Sequence, residues 1–91
     1  MRMFILKNCP HCRRAINWIK ELKDENPEYR KIEIELVDEQ LDSQLADQYD
    51  YYYVPALYDG KVKLHEGVAS KTGIKSIFDQ YLKKIAAKAP R

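Results

Sequence analysis

Cysteine, glycine and proline are scarce in this chain: two, three and four of them in 91 residues. Two cysteines cannot make a disulfide framework, so the fold must rest on an apolar core, and 45% apolar content suffices for a modest one. A second domain has no room, and residues 1–91 read as one. No apolar run approaches the length of a membrane span. Residues 1–20 lack the charged start, apolar middle and small-residue cleavage site of an export signal, so a cytoplasmic address is expected. Sixteen basic against fourteen acidic residues leave a net charge of +2, spread along the chain rather than gathered in a block. No footprint for nucleic acid or a membrane surface follows from that balance. Internal repeats and low-complexity segments are absent as well.

What is present is Cys9-Pro10-His11-Cys12, which holds both cysteines and follows a short apolar run, Met3 to Leu6. At this spacing the second thiol lies about one helical turn below the first, so a disulfide between them is feasible with little backbone movement. If a helix starts here, Cys9 sits near its N-cap, where unpaired N–H groups and the positive end of the helix dipole stabilise a thiolate. Pro10 marks the same start, because its fixed φ is already helical and its missing N–H has no partner to lose. Lys7, Arg13, Arg14 and a partly protonated His11 add positive potential. Two readings stand for His11, a tuning residue and a solvated side chain of the first turn; Lys7 can equally be the solvated end of a strand. Cys12 gains less from the helix end and should be the more buried thiol. The expected division of labour is attack by Cys9 and resolution by Cys12.

Along the chain, Met3-Phe4-Ile5-Leu6 suits a central strand buried on both faces. The helix after Pro10 carries Ala15, Ile16, Ile19 and Leu22 at helical spacing and should end before Asn26-Pro27. Lys31 to Val37 alternates apolar and charged residues, the pattern of a peripheral strand with one wet face, parallel to the first. A second helix is expected over Glu39 to Gln48, with Asp38 as cap and Leu41, Leu45 and Tyr49 facing inward. Tyr51, Tyr52 and Tyr53 read as strand and core aromatics, or as the lining of a groove beside the thiols. Asp59-Gly60 between Ala56-Leu57-Tyr58 and Val62-Lys63-Leu64 signals a two-residue hairpin. His65 reads as a strand residue on the wet face. Ser70 or Thr72 can cap a last helix with Ile74, Ile77, Phe78, Tyr81, Leu82 and Ile85 on its apolar face, and Ala89-Pro90-Arg91 reads as a frayed end.

The order is β-α-β-α-β-β-α, with Cys-x-x-Cys at the first strand-to-helix junction. Here the sequence resembles the thioredoxin superfamily and, because Cys9 follows the first strand directly, the glutaredoxins; the resemblance spans nearly the whole chain. It implies a thioredoxin fold, an α/β architecture with a four-stranded mixed sheet flanked by helices. The glutaredoxin motif Cys-Pro-Tyr-Cys stands here as Cys9-Pro10-His11-Cys12, and its Pro-His pair resembles that of strongly oxidising periplasmic disulfide enzymes. Val54-Pro55 resembles the Val-Pro segment whose proline is cis and faces the cysteines, leaving backbone groups of the preceding residue free to pair with a peptide or glutathione; Tyr53 replaces the family's threonine. Lys7 matches a basic residue near the thiolate. Gly67 matches the second of a Gly-Gly pair, whereas Glu66 takes the place of the first, and Ala69 and Ser70 stand where acidic residues hold the amino end of glutathione.

The resemblance implies a thiol–disulfide oxidoreductase in which Cys9 and Cys12 are catalytic and Lys7, Pro10, His11, Tyr53, Val54, Pro55 and Gly67 bind substrate. Its substrates would be protein disulfides or glutathione mixed disulfides. The electron donor would be glutathione, as co-substrate, or a thioredoxin reductase, acting on a monomer with no bound cofactor. A four-ligand metal site is disfavoured within one chain, because beside the two cysteines only His11 and His65 remain and there is no second Cys pair. Two alternatives stay open: a metal or iron–sulfur module bridged through Cys9 of two subunits, and a redox-sensing adaptor with little turnover.

Overall fold

A computed structural model of the chain describes residues 1–88; the expected frayed end, Ala89-Pro90-Arg91, lies outside them. The elements follow the order β1 (Arg2–Ile5), α1 (Pro10–Glu25), a 3₁₀ turn (Pro27–Lys31), β2 (Glu35–Asp38), α2 (Ser43–Ala46), β3 (Ala56–Asp59), β4 (Val62–Glu66) and α3 (Lys71–Lys88). This is a mixed α/β fold whose four strands lie side by side as β2-β1-β3-β4. β1 runs parallel to β2 and antiparallel to β3, and β3 pairs antiparallel with β4.

β1 is central, and successive side chains of a strand point to opposite faces. Met3 accordingly enters one apolar cluster, with Ala15, Ile19 and Leu22 of α1 and Ile74 and Phe78 of α3. Phe4 enters the other, with Val37, Ala46, Ala56 and Tyr58. The continuous apolar run at 3–6 is thus explained by a strand covered on both sides.

Local chemistry sets both ends of α1. Cys9 caps its start with Pro10 in the first turn, and at its end Asn26 is extended (φ −138°, ψ 112°), the conformation that Pro27 demands of the residue before it. Asn26 then caps the 3₁₀ turn, its side-chain oxygen accepting from the Glu28 N–H at 3.0 Å. α3 is capped by Ser70 rather than Thr72, since the Ser70 hydroxyl accepts from the Gly73 N–H at 3.0 Å. Ser70→Ala should therefore cost about 1 kcal/mol in urea unfolding, while Thr72→Ala changes stability by a few tenths at most.

Four expectations need correction. The second strand is shorter than Lys31–Val37: its ladder with β1 runs only from Arg2↔Glu35 to Ile5↔Asp38. Upstream, Ile32 is fully buried, but it closes the 3₁₀ turn through its N–H to Tyr29 O at 3.1 Å, and its carbonyl accepts from Lys23 Nζ at 2.8 Å. The second helix spans Ser43–Ala46, not Glu39–Gln48. Asp38 Oδ1 accepts from the Gln40 and Leu41 N–H groups at 2.8 and 3.4 Å, which makes a turn in competition with a helix, and Asp42 becomes the cap. Leu41, on that turn, is 86% exposed. The hairpin loop is Gly60-Lys61, because Asp59 pairs with Val62; Gly60 has φ +61° and no described non-glycine residue, Lys61 included, has a positive φ, the glycine-first pattern of a two-residue turn. Finally, Ile85 is 41% exposed. Lys84 is bonded to Asp59 at the hairpin, so α3 beyond it passes the end of the sheet.

Charge is also less evenly spread than a linear reading suggests. Glu33, Glu35, Asp38, Glu39, Asp42, Asp47 and Asp50 fall in a stretch without Lys, Arg or His, which forms β2, α2 and their connections.

Candidate active site

β1 delivers the chain to the site through a tight turn in which the Cys9 N–H donates to Leu6 O at 3.2 Å. Cys9 is extended (φ −86°, ψ 115°) at the N-cap, and its sulfur accepts from the Cys12 N–H at 3.3 Å. Both cysteines are free thiols; Cys9 is partly exposed and Cys12 is buried. Burial alone pushes the Cys9 thiol up, but hydrogen bonds from the Cys12 thiol and from the Cys12 and His11 N–H groups outweigh it, and Cys9 lies below an ordinary thiol. Cys12 moves the other way. Burial first, and then the neighbouring Cys9 and the Glu39 carboxylate, push it up to about 12 against a hydrogen bond from the Leu6 backbone. One thiol is therefore poised to ionise while its neighbour keeps its proton.

The rest of the site follows from strand register. Phe4 faces Ala56, Ile5 faces Asp38, and Ala56 faces Glu66, so the last residues of β1, β2 and β4 and the segment entering β3 share one end of the sheet. Cys9 leaves that end after β1, and Val54-Pro55 enters it before β3. The Val54–Pro55 peptide is cis, as the resemblance implied, and Pro55 is fully buried. Gly67 takes φ +88°, which an L side chain rarely adopts, and its N–H donates to Pro55 O at 3.0 Å. Tyr53 stands beside it: a Cβ built on Gly67 would lie 3.6 Å from Tyr53 Cβ. Val54 is half-buried, and no described residue bonds its N–H or its carbonyl.

The structure brings Lys7 to a depression of about 300 Å³ that it lines with Leu6, Asn8, Cys9 and Gln40. Pro10 is exposed in the first turn of α1. The His11 ring is exposed with Nδ1 3.4 Å from Arg14 Nη1, so it is the His11 N–H that acts on Cys9. Tyr52 and Tyr53 are 86% and 69% exposed and lie outside any strand; only Tyr51 joins the core, its ring 5.1 Å from that of Phe4. Tyr51 and Tyr52 do line an open groove, with Leu6, Glu39 and Gln40 among its other walls. His65 is half-buried, and its Nε2 donates to the carbonyls of Gly67 and Val68 at 3.0 and 3.1 Å. It fixes the turn after β4 rather than facing water idly.

Two residues at this end escaped the sequence reading. Glu39 was assigned to a helix, yet it faces the site and accepts from Tyr51 Oη at 2.7 Å, a contact made only by folding. Glu66 Oε2 accepts from the Tyr52 and Tyr53 N–H groups at 2.6 and 3.0 Å, while Oε1 accepts from Lys63 Nζ at 2.6 Å. Lys63 and both N–H groups hold its carboxyl down at about 2. The i,i+3 spacing of Lys63 and Glu66 was the one visible signal.

Among the described residues no group of three or more His, Cys, Asp and Glu could hold a metal ion, and no helix is long and apolar enough to cross a membrane. No protein-family model, curated protein or solved structure matches the chain.

Proposed function

We propose that this chain is a glutaredoxin-like thiol–disulfide oxidoreductase with a thioredoxin fold. The observation that carries the reading is the placement of its two thiols: Cys9, partly exposed at the start of α1, accepts from the Cys12 N–H at 3.3 Å, and Cys12 is buried one turn behind it, which moves the two thiols in opposite directions. The element order, the mixed sheet and the placement of Val54-Pro55 at the same end of the sheet as Cys9 support it.

In the first step the Cys9 thiolate attacks one sulfur of a substrate disulfide, forming a Cys9–substrate mixed disulfide and releasing the other sulfur as a thiolate. Neutralising Cys9 removes the charge that helps hold the Cys12 proton. Cys12 then loses that proton and attacks Cys9, so the Cys9–Cys12 disulfide forms and the second substrate thiolate leaves. Two electrons pass from the dithiol to the substrate. Two glutathione molecules, or the dithiol of a thioredoxin reductase, return them. The substrates are protein disulfides and glutathione mixed disulfides, in a reducing compartment such as the cytoplasm, where a close dithiol can cycle. The chain acts as a monomer without a bound cofactor. Lys7 and Gln40 would meet substrate beside Cys9, and the free backbone groups of Val54 would pair with its main chain.

A turnover assay tests this reading. With a glutathionylated peptide, the chain should consume NADPH through glutathione and glutathione reductase; thioredoxin reductase in their place reports the other donor. Absence of turnover with both donors would contradict the reading.

A further inference from the structure

β4 and the glycine that follows it hold the segment before β3 at two points. The Glu66 carboxylate takes the N–H groups of Tyr52 and Tyr53, and the Gly67 N–H takes the carbonyl of Pro55. Val54 lies between these tethers and is bonded by neither. Tyr52 and Tyr53 are largely exposed and Tyr51–Pro55 belongs to no helix or strand, so the segment has few contacts of its own to fix its path. Two consecutive N–H groups converging on one carboxylate oxygen are charge-assisted bonds, stronger and more directional than neutral ones. Lys63 holds the other oxygen, which orients the carboxylate.

We infer that Glu66 is a positioning residue for substrate recognition: it fixes Tyr52-Tyr53 so that the free N–H and carbonyl of Val54 are presented in line for pairing with the main chain of a polypeptide disulfide held at Cys9. The inference rests on the exchange reading above, which already gives the Val54 groups to the substrate main chain, and deepens it by assigning their positioning to Glu66. A disulfide with no peptide groups cannot use Val54 and should be indifferent to Glu66.

Single-turnover thiol release from the reduced full chain separates the two. One substrate is 2-hydroxyethyl disulfide; the other is an unstructured peptide whose cysteine is capped by 2-mercaptoethanol, so the leaving group is the same. In Glu66→Ala the half-saturating peptide concentration should rise about tenfold, the scale of one lost charge-assisted bond, with the limiting rate and the rate on 2-hydroxyethyl disulfide within twofold of wild type. Glu66→Gln keeps an acceptor oxygen and should recover most of the loss, and Lys63→Ala keeps both N–H bonds but frees the carboxylate to turn, so its loss should be smaller than that of Glu66→Ala. Amide exchange at Tyr52 and Tyr53 should quicken in Glu66→Ala while the Cys9 thiolate titration stays in place, a pattern that general unfolding would not give. Equal half-saturation in wild type and Glu66→Ala, or equal losses on both substrates, overturns the role of Glu66 and leaves the exchange reading standing. A wild-type chain inert to both substrates overturns the exchange reading and this inference with it.

Discussion

Cys9→Ser should abolish exchange, lowering turnover by roughly a thousandfold or more, because the one remaining thiol, Cys12, is buried and held protonated near 12. A hydroxyl in the same N-cap still accepts from the Cys12 N–H, so the helix should start as before, and the loss should be chemical rather than structural. Cys12→Ser should behave differently. Its mixed disulfide at Cys9 can be resolved only by an external thiol, so turnover of protein disulfides should fall sharply while glutathione mixed disulfides are still processed. Steady-state rates on both substrate types, with far-ultraviolet circular dichroism as a control, check the pair. Undiminished turnover in Cys9→Ser would exclude the assignment of the nucleophile.

Phe4→Ala should be the most damaging single change to stability, at about 3–5 kcal/mol of the roughly 5–15 kcal/mol that holds a small domain together. Phe4 is fully buried in the central strand, with its ring centroid 4.7 Å from that of Tyr49, 5.1 Å from Tyr51 and 5.9 Å from Tyr58. Removing it opens a cavity beneath three tyrosines and forfeits aromatic contacts that the remaining rings cannot re-form. The same tyrosines flank the Tyr52–Pro55 segment, so the damage should reach the site. Urea unfolding should show a lower midpoint with an unchanged slope, and the melting temperature should fall by roughly 15 °C or more. Leu41→Ala, with a side chain 86% exposed, should change stability by less than about 0.5 kcal/mol.

These predictions mark where the sequence was legible. α1 was readable because its ends are written in local chemistry: a capping Cys9 followed by Pro10, and Asn26 forced into an extended conformation by Pro27. The central strand and the presence of a hairpin after it were readable for the same reason, since apolar runs and a turn glycine act within a few residues. β2 misled because the alternation of Ile32, Ile34 and Leu36 matches a strand, while Ile32 is buried in the same apolar cluster as Met3 with its N–H bonded to the 3₁₀ turn and its carbonyl to Lys23. α2 misled because Asp38 and Asp42 both can cap, and only the fold decides which makes a turn and which starts a helix. In the site, the cysteines were legible, and so was the part played by the N–H groups at the helix start, since the Cys12 N–H does donate to Cys9 Sγ at 3.3 Å. The added positive potential expected from Lys7, Arg13, Arg14 and the His11 ring is not among the causes that lower Cys9, whereas the Cys12 thiol is. Glu39 and Glu66 reach the site through contacts between residues more than ten apart, which no spacing rule encodes.

The direct test is alkylation of the reduced chain with iodoacetamide across pH, with each cysteine followed by peptide mass mapping. Thiolate is the reactive form, so a lowered pKa makes Cys9 react at a lower pH than a free thiol, whereas Cys12, held near 12, should stay unmodified through neutral pH until Cys9 is blocked or the chain unfolds. A Cys9 that titrates like an unperturbed thiol, or a Cys12 that reacts first, would contradict the account.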